Sequence, residues 1–536
     1  MGGYSAAEGF FSVAVGDSTT AVGHGSVALG KSTWSSGDEA VALGIGSAAT
    51  GSQSFAVGVG CNATSLASVA MGDGCVASAA WSVALGAGSE ASADYAFAVG
   101  AGSNATASAS VAMGAGSQAY GVGSFAVGAG SVASGKNAFA GVSGTATAFG
   151  TVAIGAGAIA TSENAVALGT TTLASGSSSF AVGASTTASG QQAFAAGAST
   201  ESLGDQTVAM GLDCTAHAPQ SVAIGNGNDA VGDQSVALGA NSEAIGDQSF
   251  VAGSNTSASG QASVALGDYS EASGDQSFAV GSYAVASGQG SVSMGLNNQA
   301  TQTGSFAVGS QTLATSEGSV AMGLSTHSTG IGSFATGTQA VASGEYAVAM
   351  GGQSCLSTGT GSFAQGSSFA LNNFAISMGA NCNSSGFISV ALGSGSIATG
   401  ETAVALGAWA KAFGDYSFTA GSGTIADGDY SVSLGSGTHT KGDYSFAAGV
   451  GSVTNGEYSV ALGSQAYSWG THSMAFGPSC NASGVTSFAS GTQSLATGQG
   501  SIAMGLMAKS TGQASVSMGS NPLASGDFAV AMGSQN

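Results

Sequence analysis

The chain has 536 residues, with 92 Gly, only 3 Pro, 6% charged residues and a net charge of −22. Its cations are five Lys with no Arg, so the basic footprint that phosphate binding needs is missing and a nucleic-acid partner is excluded. No apolar run approaches the roughly 18 residues of a spanning helix, so membrane insertion is not expected, and a mean hydropathy of +0.30 argues against disorder.

The start, Met1-Gly2-Gly3-Tyr4, lacks the basic opening and long apolar stretch of a secretion signal. From Ser12 onward a fourteen-residue unit, close to S-V-A-L-G-x-x-S-x-A-x-G-x-x, recurs to the end. Counting Ser26 as place 1, the unit opens Ser26-Val27-Ala28-Leu29-Gly30, returns as Ala40-Val41-Ala42-Leu43-Gly44 and Ser54-Phe55-Ala56-Val57-Gly58, and is still legible at Ala529-Val530-Ala531-Met532-Gly533. A short period sustained over a whole chain predicts a solenoid, each unit packing only on its neighbours. The expected fold is all-β: a parallel β-solenoid of about 38 coils, one continuous domain over 1–536, roughly 180 Å long at ~4.8 Å per strand spacing.

Alternation at Ser26 to Leu29 predicts a first strand, and Gly46-Ser47-Ala48-Ala49-Thr50 a weaker second one. Gly at places 5 and 12 is expected to punctuate the two turns. Places 2 and 4 covary in size. Val pairs with Leu or Met (Val69-Met71, Val236-Leu238), and Phe with something smaller (Phe55-Val57, Phe194-Ala196, Phe334-Thr336). Summed volume is roughly held, which predicts that both side chains share one confined core. Place 3 is nearly always Ala and place 1 Ser or Ala, and this small face is expected to lie against an identical chain. The register slips at 138–150 and 347–374, where bulges or loops are expected.

The six Cys are Cys61, Cys75, Cys214, Cys382 and Cys480 at place 8, where Ser or Thr is usual, and Cys355 beside an inserted residue. They read as small isosteres of Ser on the inner face. No CxxC occurs and the five His are scattered, so neither a zinc site nor any cofactor is expected. Many acids fall at place 13, among them Asp415, Asp429, Asp443 and Glu457. Stacked carboxylates allow two readings: a weak cation-binding edge suited to Ca²⁺, or side chains that each accept a backbone N–H in their own turn. Tyr416, Tyr430, Tyr444 and Tyr458 follow these acids in four consecutive coils. Such a row is a candidate interaction surface for a receptor or glycan, a ring stack that stiffens the turn, or a seam between subunits. The sequons at Asn62, Asn104, Asn255, Asn383 and Asn481 arise from the repeat itself, and since most sit at place 9 they suggest that this place faces outward. No nucleophile–base pair or nucleotide fingerprint stands out, so an enzyme is not expected.

Units such as Ser-Val-Ala-Leu-Gly and Ala-Val-Ala-Met-Gly, closed by Ala-Ser-Gly or Ala-Thr-Gly, closely resemble the head repeats of trimeric autotransporter adhesins, the YadA-like heads. The resemblance implies a left-handed parallel β-roll, usually a homotrimer, displayed on a bacterial surface to bind host matrix or other cells. Similar repeats fit phage tail fibres. No heptad stalk or membrane barrel is visible. Met1-Gly2 falls in register with the Met-Gly of a coil, and Gly533-Ser534-Gln535-Asn536 stops partway through one, so open ends are expected to pair head to tail. The chain is therefore expected to be a structural protein of an extracellular fibre or self-assembling filament with adhesive capacity, located outside the cell, on its surface or in a virion fibre. The alternative is a trimeric adhesin or tail-fibre module binding a host receptor or glycan.

Overall fold

Each fourteen-residue unit folds as one turn with two strands. Places 2–6 form the longer strand, as in Val27–Lys31, and places 9–10 the shorter one, as in Trp34–Ser35. Both pair in parallel with their counterparts one turn on: Val27 opposite Val41, Ala28 opposite Ala42, Trp34 opposite Ala48. The computed structural model describes residues 3–534, which form an all-β parallel solenoid of about 38 turns without a helix. They fall into two compact units, one ending at Tyr269 and one beginning at Ser270. The terminal residues Met1, Gly2, Gln535 and Asn536, on which the in-register start and mid-coil stop depend, lie outside the described residues.

The inside of the coil is the small face. Places 1, 3, 8 and 10 are buried, as in Ser26, Ala28, Thr33 and Ser35, and again in Ser235, Ala237, Ser242 and Ala244. Among the largest fully buried side chains are only Val251, Asn228, Asn298 and a series of Thr. Places 2 and 4 point the other way and stay partly exposed: Val27 and Leu29 flank buried Ala28, and Val236 and Leu238 flank buried Ala237. This reverses the expectation that the Val/Phe and Leu/Met pair fills the core and that the Ser/Ala face is outer. The physical reason is thickness. The two strands of one turn lie so close that only small side chains fit between them. The volume compensation between places 2 and 4 is real, but it operates on the outer face, where residues i and i+2 share a strip of surface. Where two Phe succeed one another they stack there, Phe125 on Phe139 at 5.6 Å and Phe180 on Phe194 at 5.4 Å.

The turn assignment also shifts. Gly at place 5 lies inside the longer strand, not at its end, as Gly30 does in Val27–Lys31. The Gly at place 12 does open a turn, as expected, Gly37 accepting the Ala40 N–H at 3.2 Å, and the other reversal falls at place 7; places 7 and 14 adopt the left-handed backbone even without Gly (Ser32 φ 56°, Glu39 φ 57°). Where places 6 and 7 read Ala-Gly, as at Ala87-Gly88, the longer strand shrinks to three residues, Val83–Leu85.

Some core polar groups are paired by the repeat. In several turns the place-8 side chain donates to the place-5 carbonyl one turn on, Ser47 to Gly58 at 2.9 Å, Cys61 to Gly72 at 3.1 Å and Asn228 to Gly239 at 2.9 Å, and in others to that of its own turn, as Ser103 does to Gly100 at 3.0 Å. Asn228 also donates to its own Ile224 carbonyl at 2.6 Å and accepts from the Ser242 amide at 3.0 Å, so a buried amide is tolerated. Other place-8 hydroxyls, such as those of Thr19 and Thr186, have no hydrogen-bond partner.

The register slips are local. In the first unit one residue is dropped between Gly141 and Thr145, so Val132 pairs with Thr145. In the second, Val341 pairs with Leu356, one residue late, and Leu356 with Phe369, one early. The two errors cancel, and the strands Phe363–Ala370 and Ile376–Ser384 run on through the corner.

A substitution pair tests which face is inside. Ala237 is fully buried between Ala223 and Val251, so Ala237→Leu overpacks the core and should cost about 1–3 kcal/mol. Val236→Leu, on the outer face, should cost less in thermal melting. The opposite order would contradict the assignment.

Candidate interaction surface

Two surfaces carry chemistry that the core does not consume. The first is the apolar stripe of places 2 and 4. Parallel pairing brings like to like along it: Val222, Val236 and Phe250 at place 2, Ile224, Leu238 and Ala252 at place 4. Several place-4 side chains, including Met71, Met113, Met210 and Met504, are about 40% exposed. In a single chain this stripe is open to water. The signal that could have revealed it was the near-invariance of Ala at place 3: a position that accepts nothing larger is the crowded one.

The second surface is the corner at places 13 and 14. Tyr416, Tyr430, Tyr444 and Tyr458 stack with ring centroids 4.8–4.9 Å apart and planes within 6° of parallel. His472 continues the stack at 4.9 Å and 14°, a fifth ring that the tyrosine pattern did not include. All four tyrosines are 44–49% exposed. Their backbone is left-handed, φ 53–57°, an uncommon state for an aromatic residue. Each is held there by donating its N–H to the place-13 carbonyl of the preceding turn, as Tyr430 does to Asp415 at 2.7 Å. Packing against its neighbours costs the Tyr430 phenol hydration. Together with Tyr416, Tyr444 and the carboxylates of Asp429 and Asp415, this raises its pKa above the ordinary tyrosine value. The same corner carries an amide ladder in the first unit, with Gln234 donating to Gln220 at 3.1 Å and Gln248 to Gln234 at 3.4 Å.

The acids clasp the turns together. The carboxylates of Asp415, Asp429 and Asp443 accept the N–H of Glu401, Asp415 and Asp429 at 2.8–2.9 Å. The accepted N–H therefore belongs to the preceding turn, not to the acid's own turn. Asp205, Asp247 and Asp527 do the same. The reach explains why short Asp suits this place. Among the described residues no group of three or more His, Cys, Asp or Glu converges as a metal set. Two of the five His are paired with acids across turns, His217 with Asp229 at 2.9 Å and His439 with Asp427 at 2.5 Å. Asn62 and Asn104 sit on the outward side of the short strand, as their place predicts, beside buried Ala63 and Ala105.

All six cysteines are free and buried. Cys61 and Cys75 lie in adjacent turns with their sulfurs 3.1 Å apart. Burial, reinforced by the Cys61 thiol, pushes the Cys75 thiol up to about 11. An unfolded thiol near its ordinary value of 9.0 ionises first, so the contribution of this site is complete below pH 9 and falls as pH rises toward 11. The native protein should resist iodoacetamide at neutral pH, and its unfolding midpoint should drop over that alkaline window. Fast labelling of the folded chain would contradict this placement.

The profile of the YadA head domain repeat matches the chain in overlapping stretches from residues 7–33 to residues 510–536. Gaps of more than one residue fall at 61–76, 141–145, 173–201 and 355–383, and the second and fourth of these hold the two dropped residues. No curated protein sequence matches the chain. The matched stretches cover well over half of the residues, with the place-by-place pattern seen in the turns, and the chain belongs to the YadA head domain repeat family.

Proposed function

We propose that this chain is the non-enzymatic head of a homotrimeric surface fibre that adheres to host matrix or to other cells. The observation that carries the reading is the apolar stripe of places 2 and 4, aligned in register from turn to turn and partly exposed in a single chain. Identical stripes on identical chains cover one another around a symmetry axis without any second kind of subunit. The family supports the rest, since its members are structural and adhesive, form homotrimers and stand on bacterial surfaces. The fourteen-residue pattern runs through Val264, Phe278 and Val292 without a slip, which supports a single continuous solenoid.

Electron microscopy of the purified chain tests the assembly. Discrete particles three chains across are expected. Long filaments would favour head-to-tail stacking and a purely structural role. Adhesion is tested separately, by the retention of cells or matrix proteins on the immobilised assembly. Particles that retain none would leave the scaffold and remove the adhesive function.

A further inference from the structure

The corner stack has a geometry that selects its ligand. Its five rings lie parallel at 4.8–4.9 Å, so each inner face is covered by the next ring. The exposed part is a row of ring edges and hydroxyls, about 19 Å from the first ring centre to the last at the strand-to-strand spacing. Side by side, the ring edges form a flat apolar row against which an elongated planar molecule can bury one face. A sugar needs the opposite, an open aromatic face, and inside the stack none is open. Thr402 precedes the stack and Thr486 follows it at place 14, which bounds it to these five turns.

The charge beside the stack has one predominant sign. Glu401, Asp415, Asp429, Asp443 and Glu457 occupy place 13 of successive turns, all exposed. The three Asp among them each give one oxygen to a backbone N–H. The cations nearest in sequence are Lys411 and Lys441, on or beside the short strands. We propose that the Tyr416–His472 corner binds elongated, flat aromatic cations, which lie along the stack with their π-face on the ring edges and their charge toward the place-13 carboxylates. Such a ligand is rigid and loses little freedom on docking, and its attraction to the acids is weakened by salt. The site is built from one chain's own turns.

The test uses thioflavin T, a flat cationic dye, with Congo red, a flat dianion, as its counterpart. Saturable thioflavin T binding to the full-length, non-aggregated protein is expected, with Congo red binding much more weakly. Tyr430→Gln with Tyr444→Gln interrupts the stack with the residue that the repeat itself uses at this corner in Gln220 and Gln234, so the turns should stay folded, as circular dichroism would verify. Thioflavin T affinity should then fall about tenfold, in line with the loss of two ring contacts. Tyr430→Phe with Tyr444→Phe keeps the edges and should keep the affinity. Asp429→Asn with Asp443→Asn keeps an oxygen for the backbone clasp but should weaken binding and flatten its salt dependence. Absence of binding, binding unchanged in the Gln variant, or equal binding of the dianion would overturn the proposal. Loss of binding in the Phe variant would also overturn it, by assigning recognition to the phenol hydroxyls. None of these outcomes bears on the trimer, which the particle width tests on its own.

Discussion

Gly239→Val is expected to separate the turn from its neighbour and to be among the most damaging single changes in the chain. Gly239 lies within the strand Val236–Ala240 at φ +120°, where L-residues rarely settle. A Cβ there would stand 1.9 Å from the Gly253 carbonyl oxygen and 2.9 Å from its carbon, both backbone atoms of the next turn. The strained backbone alone costs about 1–3 kcal/mol. Displacement of the neighbouring strand adds to it, so a local loss above about 4 kcal/mol is expected. A solenoid turn contacts only its neighbours, so the damage should stay local. Protease cleavage and rapid amide exchange near residues 236–254 are the expected readouts. Melting and protease resistance equal to those of the native chain would contradict the close approach of the two turns.

Val236→Asp combined with Leu238→Asp is expected to loosen the assembly while leaving the turn folded. Both side chains are outward and partly exposed, and the core beneath them is Ala237 with its small neighbours. In a trimer the change places six carboxylates at one level of the axis, each desolvated without a partner, at several kcal/mol per charge. A stripe of many turns is not released by one level. The denaturant concentration at which the mass falls to that of one chain should drop, with circular dichroism under native conditions unchanged. If places 2 and 4 filled the core, the same pair would abolish the strand signal of that turn instead.

The fold was legible because its period is short and strict. Ser26 to Leu29 alternates, and Gly falls at fixed places, so coil length, strand number and parallel stacking follow from repetition alone. The inside and outside of the coil were harder to assign, because alternation fixes which residues share a face but not which face is buried. Hydrophobicity favours Val236 and Leu238 over Ala237 for the core, and it misleads here because a two-strand coil has no room for them. In the proposed assembly their cover is another chain, which a single sequence does not display. The turn expected at place 5 was misplaced for a related reason. Gly239 resembles a turn residue, yet its function is to let two strand backbones approach, while Ser32 and Tyr416 take the left-handed backbone without being Gly. The tyrosine row was read from spacing, and its stacking follows from in-register turns. The addition of His472 depends on ring shape rather than residue type. The Asp clasp crosses from one turn to the preceding one, a contact that within-turn reasoning does not reach.

An apolar stripe that faces outward should be covered by copies of the same chain. Sedimentation equilibrium of the purified full-length protein tests it most directly. A native mass three times the 50.3 kDa of one chain, held on dilution and in high salt, is expected. A stable, soluble species of single-chain mass across the concentration range would contradict it.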